Sequence, residues 1–151
     1  MAHKGRFRPK NPHKYKGDPT KIIYRSSWEV KVFKVCDEHP DIVEWASEEI
    51  SIPYYSPIDG KWHRYFPDVY VKKKIGDIYE EILIEVKPEA QTRPPDISRK
   101  NATKTGRISR RYINEVKRFG INDAKWEAAK KYCDARGWKW QVMTEKSLGI
   151  R

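Results

Sequence analysis

The octapeptide Glu81-Ile82-Leu83-Ile84-Glu85-Val86-Lys87-Pro88 constrains the fold more than any other stretch of the chain. Successive side chains of a β-strand point to opposite faces. A run that is apolar on both faces, as Ile82-Leu83-Ile84 is, therefore belongs inside a covered sheet. The same alternation sends Glu85 and Lys87 to one face, two residues apart. A carboxylate and an ammonium at the end of such a strand are costly to bury unless they hold each other or a metal ion. Nineteen residues before Lys87, the tripeptide Phe66-Pro67-Asp68 offers a second carboxylate from the preceding strand.

The chain of 151 residues fits one domain with a real core. With 13% aromatic residues, including six Trp and nine Tyr, it is not a disordered polyelectrolyte. Its formal net charge of +11 asks for a polyanionic partner, of which nucleic acid is the commonest. A ribosomal or membrane-surface protein would show the same balance, so charge alone does not choose. Cys36 and Cys133 are far apart and outside any Cys/His cluster, which argues for two reduced thiols rather than a zinc site or a disulfide framework. No apolar stretch is long enough to cross a bilayer and no signal-peptide core opens the chain, so the protein is expected to act inside a cell.

Residues 1–24 read as a basic N-terminal arm, and 25–151 as the folded domain. Arg6, Arg8, Lys10, Lys14 and Lys16, with Lys4 and Lys21, face only Asp18, while Pro and Gly break any periodicity. Such an arm grips phosphates or merely solubilises the chain. Ser26 is a good N-cap with Glu29 at capping-box spacing, followed by Trp28, Val32 and Val35 as an apolar helix face ending at His39-Pro40. Ile42 to Ala46 makes a short strand, and Ile50 to Tyr55 a stronger candidate. A turn at 57–60 leads into a long strand from Trp62 to Lys72, and Gly76-Asp77 turns the chain back into Tyr79 to Lys87. Residues 89–107 are polar and proline-containing, an ordered loop or flap. Ile108, Tyr112, Val116 and Phe119 form a helix face closed by Gly120. Asn122 caps a further helix through Trp126, Ala129 and Cys133 to Gly137, and Trp138 to Thr144 is the last strand. The fold class is α/β: an N-terminal helix, a mixed sheet of four or five strands with a central meander, C-terminal helices and a final strand.

Phosphodiester hydrolysis needs a cation on the phosphate oxygens, a deprotonated water and stabilisation of the departing oxygen. Mg²⁺ is commonly held by one or two carboxylates, with water and substrate filling the octahedron. Asp68 and Glu85 supply that number, and the carbonyl of Val86 adds a third oxygen. Lys87 then points to the water or the phosphate, and Glu29 binds a second metal or orients water. The plainer alternatives are a turn-opening Asp68, an exposed Glu85–Lys87 ion pair, and a Glu29 that only caps its helix. His63 lies near the Asp68 strand and reads as an ordinary packing or surface histidine.

With Glu29, Pro67-Asp68 and Glu85-Val86-Lys87, the chain resembles the PD-(D/E)XK nuclease superfamily, which implies a restriction-endonuclease-like core. A narrower resemblance rests on 5–12, Lys14-Tyr15-Lys16-Gly17, Arg25-Ser26-Ser27-Trp28-Glu29, 44–49, 63–68 and Glu85-Val86-Lys87-Pro88. These segments are similar to the head completion nucleases of large contractile-tailed bacteriophages, and the central part to TnsA-type transposon endonucleases. The resemblance implies an Mg²⁺-dependent deoxyribonuclease, with Mn²⁺ able to substitute, that processes the ends of packaged double-stranded DNA. It further implies head, portal or neck proteins as partners, no membrane, and a place in the virion or in the host cytoplasm during assembly. Arg6, Arg8, Lys10, Lys14, Lys16, Arg25, Arg107, Arg110 and Arg111 would clasp the DNA backbone, with Arg93, Arg99, Lys100 and Lys104 nearby. The competing account is a DNA-binding head protein that keeps the fold without catalysis. A small RNA-binding protein is a weaker third, since no RNP or KH signature is present.

Overall fold

A computed structural model describes residues 4–100 and 106–149; Lys104 lies outside the described residues, as does the side chain of Arg99. In chain order the elements are β1 (Gly5–Arg6), β2 (Ile23–Tyr24), α1 (Ser27–Glu38), β3 (Ile42–Ser47), β4 (Ile52–Tyr55), β5 (Trp62–Tyr65), β6 (Val69–Ile75), β7 (Ile78–Val86), α2 (Arg110–Arg136) and β8 (Lys139–Met143). The central sheet has the order β3-β6-β7-β8. β3 and β7 both run antiparallel to β6, while β8 lies parallel to β7. A parallel neighbour needs a crossover, and α2 provides it. The sheet is therefore mixed, and the doubly apolar run of β7 sits in its interior with Leu83 and Ile84 buried. The two-residue loop between β6 and β7 places Gly76 at φ 59°, a conformation that costs glycine nothing.

α1 starts where the sequence places it. Ser26 Oγ accepts the Glu29 N–H at 3.2 Å, closing the first turn. Its buried face differs from the expected one. Val35 points to solvent, whereas Val32, Phe33 and Cys36 pack inward, with Phe33 5.3 Å from the ring of Trp45 on β3.

The N-terminal segment is an integral layer of the core rather than an extension from it. Phe7, Tyr15 and Ile22 are buried, and Phe7 and Tyr15 meet Trp45 edge to face at 5.9 and 4.8 Å. Backbone bonds fasten it: the Phe7 N–H donates to Ile22 O and the Lys16 N–H to Trp45 O. Asp37 accepts the N–H groups of Lys10 and Asn11 at 2.7 and 2.9 Å. Lys14, expected on phosphate, is buried instead, and its ammonium donates to the carbonyls of Asp37 and His39 at 2.8 and 2.9 Å. Both carbonyls lie at the C-terminal end of α1, where they also accept from Asn11 Nδ2 and the Ile42 N–H, and where a cation complements the helix dipole.

Three further differences have physical reasons. The strand expected over Trp62–Lys72 breaks at Phe66-Pro67-Asp68, because Pro67 has no N–H to give a ladder. Its first part, β5, pairs with β4 in a separate two-stranded hairpin. β3, expected as a short strand, joins the central sheet, whereas the stronger candidate, now β4, lies outside it. The two expected C-terminal helices are one helix of 27 residues running through Gly120. A Cβ at Gly120 would stand 3.8 and 3.9 Å from Pro57 and Ile58, an ordinary contact. Buried Asn122 lies inside this helix and does not cap it; the true N-cap is Ser109, and Gly137 ends the helix at φ 71° as expected.

Candidate active site

The break that Pro67 makes between β5 and β6 leaves Asp68 beside the end of β7. Its Oδ2 accepts the Val86 N–H at 2.7 Å, which fixes the carboxylate against the next strand. Glu85, at 4% exposure, is buried at that same end. Its Oε1 accepts the hydroxyl of Tyr65 at 2.8 Å, and its Oε2 lies 3.8 Å from Lys87 Nζ. The two-residue alternation of β7 thus puts Glu85 and Lys87 together, and Lys87 is the more exposed of the two.

The electrostatics mark the site as short of positive charge. Burial first, and then the charge of Glu85, hold the Asp68 carboxyl well above the usual range. Glu29 contributes to the same push, so the helix carboxylate belongs to the Asp68 environment. Glu29 is itself buried and raised, first by burial and then by Glu48, against the lowering effect of the Arg25 N–H. Its carboxylate also accepts the Ser26 hydroxyl at 3.3 Å, so capping and proximity to the site coexist. Among the described residues no three His, Cys, Asp or Glu side chains form a metal-ligating group. A buried and a half-buried carboxylate that repel each other still fit a hard divalent cation that takes one or two protein carboxylates.

Two residues that the sequence reading missed complete the arrangement. Tyr65 orients Glu85, and its phenol is held far above its ordinary range by burial and by that carboxylate. Lys125 of α2 lies 5.5 Å from the Tyr65 ring and 5.8 Å from the Tyr54 ring. Burial lowers its pKa, while Glu85 and Asp68 oppose the shift. A faint signal for Lys125 existed: it lies three residues after buried Asn122 and four before buried Ala129, on the inward side of the helix. His63 stands apart, with Nε2 2.7 Å from Asp59 on the exposed hairpin turn.

The expected phosphate contacts divide. Arg6, Arg8 and Arg110 are exposed. Lys10 and Lys16 are exposed but pair with Glu38 and Glu44, and Arg25 pairs with Glu48. Arg107 is exposed at the approach to α2. Arg111 pairs with Glu115 and, with Arg93 and Arg118, lines a cavity of about 550 Å³ beginning at Pro88, next to Lys87.

A mixed sheet crossed by one helix, with Asp68, Glu85 and Lys87 meeting at adjacent strand ends, is the arrangement of a PD-(D/E)XK-type nuclease. The chain belongs to the family described as TnsA-like endonuclease N terminal, whose model matches residues 39–145. It is also 41% identical over 148 residues to the head completion nuclease of Enterobacteria phage T4, covering 98% of this chain and 95% of that protein. Among the described residues no helix is long and apolar enough to cross a membrane.

Proposed function

We propose that this protein is a metal-dependent DNA endonuclease of phage head completion, acting on double-stranded DNA at its packaged ends. The observation that carries the reading is half-buried Asp68 and buried Glu85 facing each other beside Lys87. The kinship with a protein named head completion nuclease supports the biological setting. Asp68 and Glu85 would hold Mg²⁺, with Mn²⁺ as a substitute and the Val86 carbonyl as a further oxygen. When bound, such an ion would supply positive charge to the phosphate oxygens and lower the pKa of a water. The remaining work falls to the chain's own groups. The Val86 N–H and the Tyr65 hydroxyl keep the two carboxylates from turning away. Lys87 places its ammonium on the phosphate or relays a proton to the departing oxygen. Lys125 adds a second cation opposite the same carboxylates, and Glu29 orients water or takes a second metal. Arg6, Arg8, Lys10, Lys16, Arg25, Arg107, Arg110 and Arg111 contact the backbone, so binding weakens with salt and shows little sequence preference. Lys14 drops from that set. Head, portal or neck proteins are the partners, in the virion or in the host cytoplasm during assembly.

The test is cleavage of linear and supercoiled duplex DNA with Mg²⁺, Mn²⁺ or EDTA. The wild type cuts only with metal, and Glu85→Ala loses at least about 10²-fold. Lys87→Ala binds DNA as the wild type does and fails to cut it. Normal cutting by Lys87→Ala overturns the role of that lysine. Inactivity of the wild type with every metal favours a DNA-binding head protein without catalysis.

A further inference from the structure

The outward face of the β4–β5 hairpin is left unused by this chemistry. Directly opposed residues of an antiparallel pair share a face, so Tyr55 with Trp62 and Pro53 with Arg64 look one way. Ile52, Tyr54 and Tyr65 look the other way and are buried. A strand face turned to water is ordinarily polar. Here Trp62 is 70% exposed and Tyr55 53%, and their rings meet edge to face at 5.6 Å. Phe66 continues the row, also exposed, with the Arg64 guanidinium 5.9 Å from its ring. No residue of this row is acidic, and Asp59 in the adjoining turn is engaged by His63. Exposed rings interleaved with a cation are the surface on which unpaired bases stack. The row also runs to the site: Phe66 is two residues from Asp68, so their Cα atoms are at most about 7.6 Å apart.

We propose that this face stacks the unpaired bases of a DNA strand at a duplex end and so makes the enzyme selective for ends with single-stranded character. The proposal rests on the nuclease reading and adds the substrate class to it. The chain's net charge of +11 favours a polyanion over a protein partner as the occupant.

The full chain, in EDTA, is titrated with a hairpin-closed duplex and with the same duplex carrying a short single-stranded tail that contains 2-aminopurine. The tailed duplex binds about tenfold more tightly, and the 2-aminopurine fluorescence is quenched. Trp62→Ala abolishes both differences while leaving the closed duplex unaffected, and Trp62→Phe restores most of them. A Trp62→Ala protein that keeps the tail preference and the quench overturns the proposal, as does one that weakens both substrates equally. If Trp62→Ala fails to fold, Phe66→Ala reads the same difference. Metal-supplemented cleavage of supercoiled DNA separates the two readings. No cutting with the tail preference intact defeats only the enzyme. Cutting with no tail preference defeats only the stacking face.

Discussion

Two stretches of this chain look alike as sequence and behave differently in the fold. Residues 4–24 and 89–100 each carry more basic than acidic groups, both are interrupted by proline, and neither shows a helical or strand period. The first is wound into the core by Phe7, Tyr15 and Ile22. The second runs as two short 3₁₀ turns, Glu89–Thr92 and Ile97–Arg99; the first buries none of its residues, and Ile97 is 72% exposed. Three apolar side chains make the difference. An aromatic ring removed from water offsets the entropy of ordering several residues of chain, and charge at the surface does not. Basic composition therefore says what a segment attracts, whereas its apolar residues say whether it is held.

The largest effect that would break this contrast lies at Phe7, which packs edge to face on Phe33 at 5.6 Å as well as on Trp45. Phe7→Ala should cost about 3–5 kcal/mol of unfolding free energy, read from urea denaturation. A loss below about 1 kcal/mol would return the N-terminal segment to the status of an appendage.

The same contrast shows what the sequence could and could not convey. Features set by near neighbours were legible: the Ser26 cap, the turn at Gly76, the shared face of Glu85 and Lys87, and the left-handed Gly137. Features set by distant partners were not. Lys14 is buried because Asp37 and His39 present carbonyls to it from 23 and 25 residues away, and nothing local separates it from Lys10 or Lys16. Gly120 carries a helix-stop signal, yet its surroundings favour continuation, since tertiary packing outweighs a propensity cost of about 1 kcal/mol. Tyr65 and Lys125 escaped notice for a related reason. A tyrosine in a strand and a lysine in a helix have no motif, and only the packing of β5 and α2 near Glu85 makes them part of the site. The letters Pro67-Asp68 and Glu85-Val86-Lys87 were readable as spatial neighbours because the β6–β7 hairpin enforces their spacing and sets Asp68 against Val86.

A smaller effect sharpens the comparison through pH. The Tyr15 hydroxyl accepts the Ser47 N–H at 3.1 Å and lies 3.4 Å from Glu49. Burial, with Glu49 and Glu48 adding to it, pushes the phenol up to about 12. Below pH 10 the phenol is protonated folded and unfolded, and the contribution is fully present. Between pH 10 and about 12 the unfolded phenol ionises while the folded one resists, so stability falls by about 1.4 kcal/mol per pH unit. Tyr15→Phe should lose about 1–3 kcal/mol at neutral pH, because the Ser47 N–H is left without this acceptor. It should also fall less steeply above pH 10; the loss persists in part, since Tyr65 and Tyr70 are raised too. Equal alkaline slopes in the two proteins would mean that Tyr15 is accessible to water and the segment less firmly seated.

The smallest effect is expected at Ile97, the largest apolar side chain of the contrasted segment and a residue of the kind that anchors residues 4–24. Its exposure means that truncation removes little area from contact, so Ile97→Ala should change the unfolding free energy by no more than about 0.5 kcal/mol. The measurement is the same urea titration applied to Phe7→Ala, so that one axis ranks both segments. A near-zero value keeps 89–100 as a surface strap beside the cavity that begins at Pro88. A loss above about 1.5 kcal/mol would instead require Ile97 to be covered in solution. The segment would then be anchored as firmly as the N-terminal one, and apolar content alone would no longer distinguish the two.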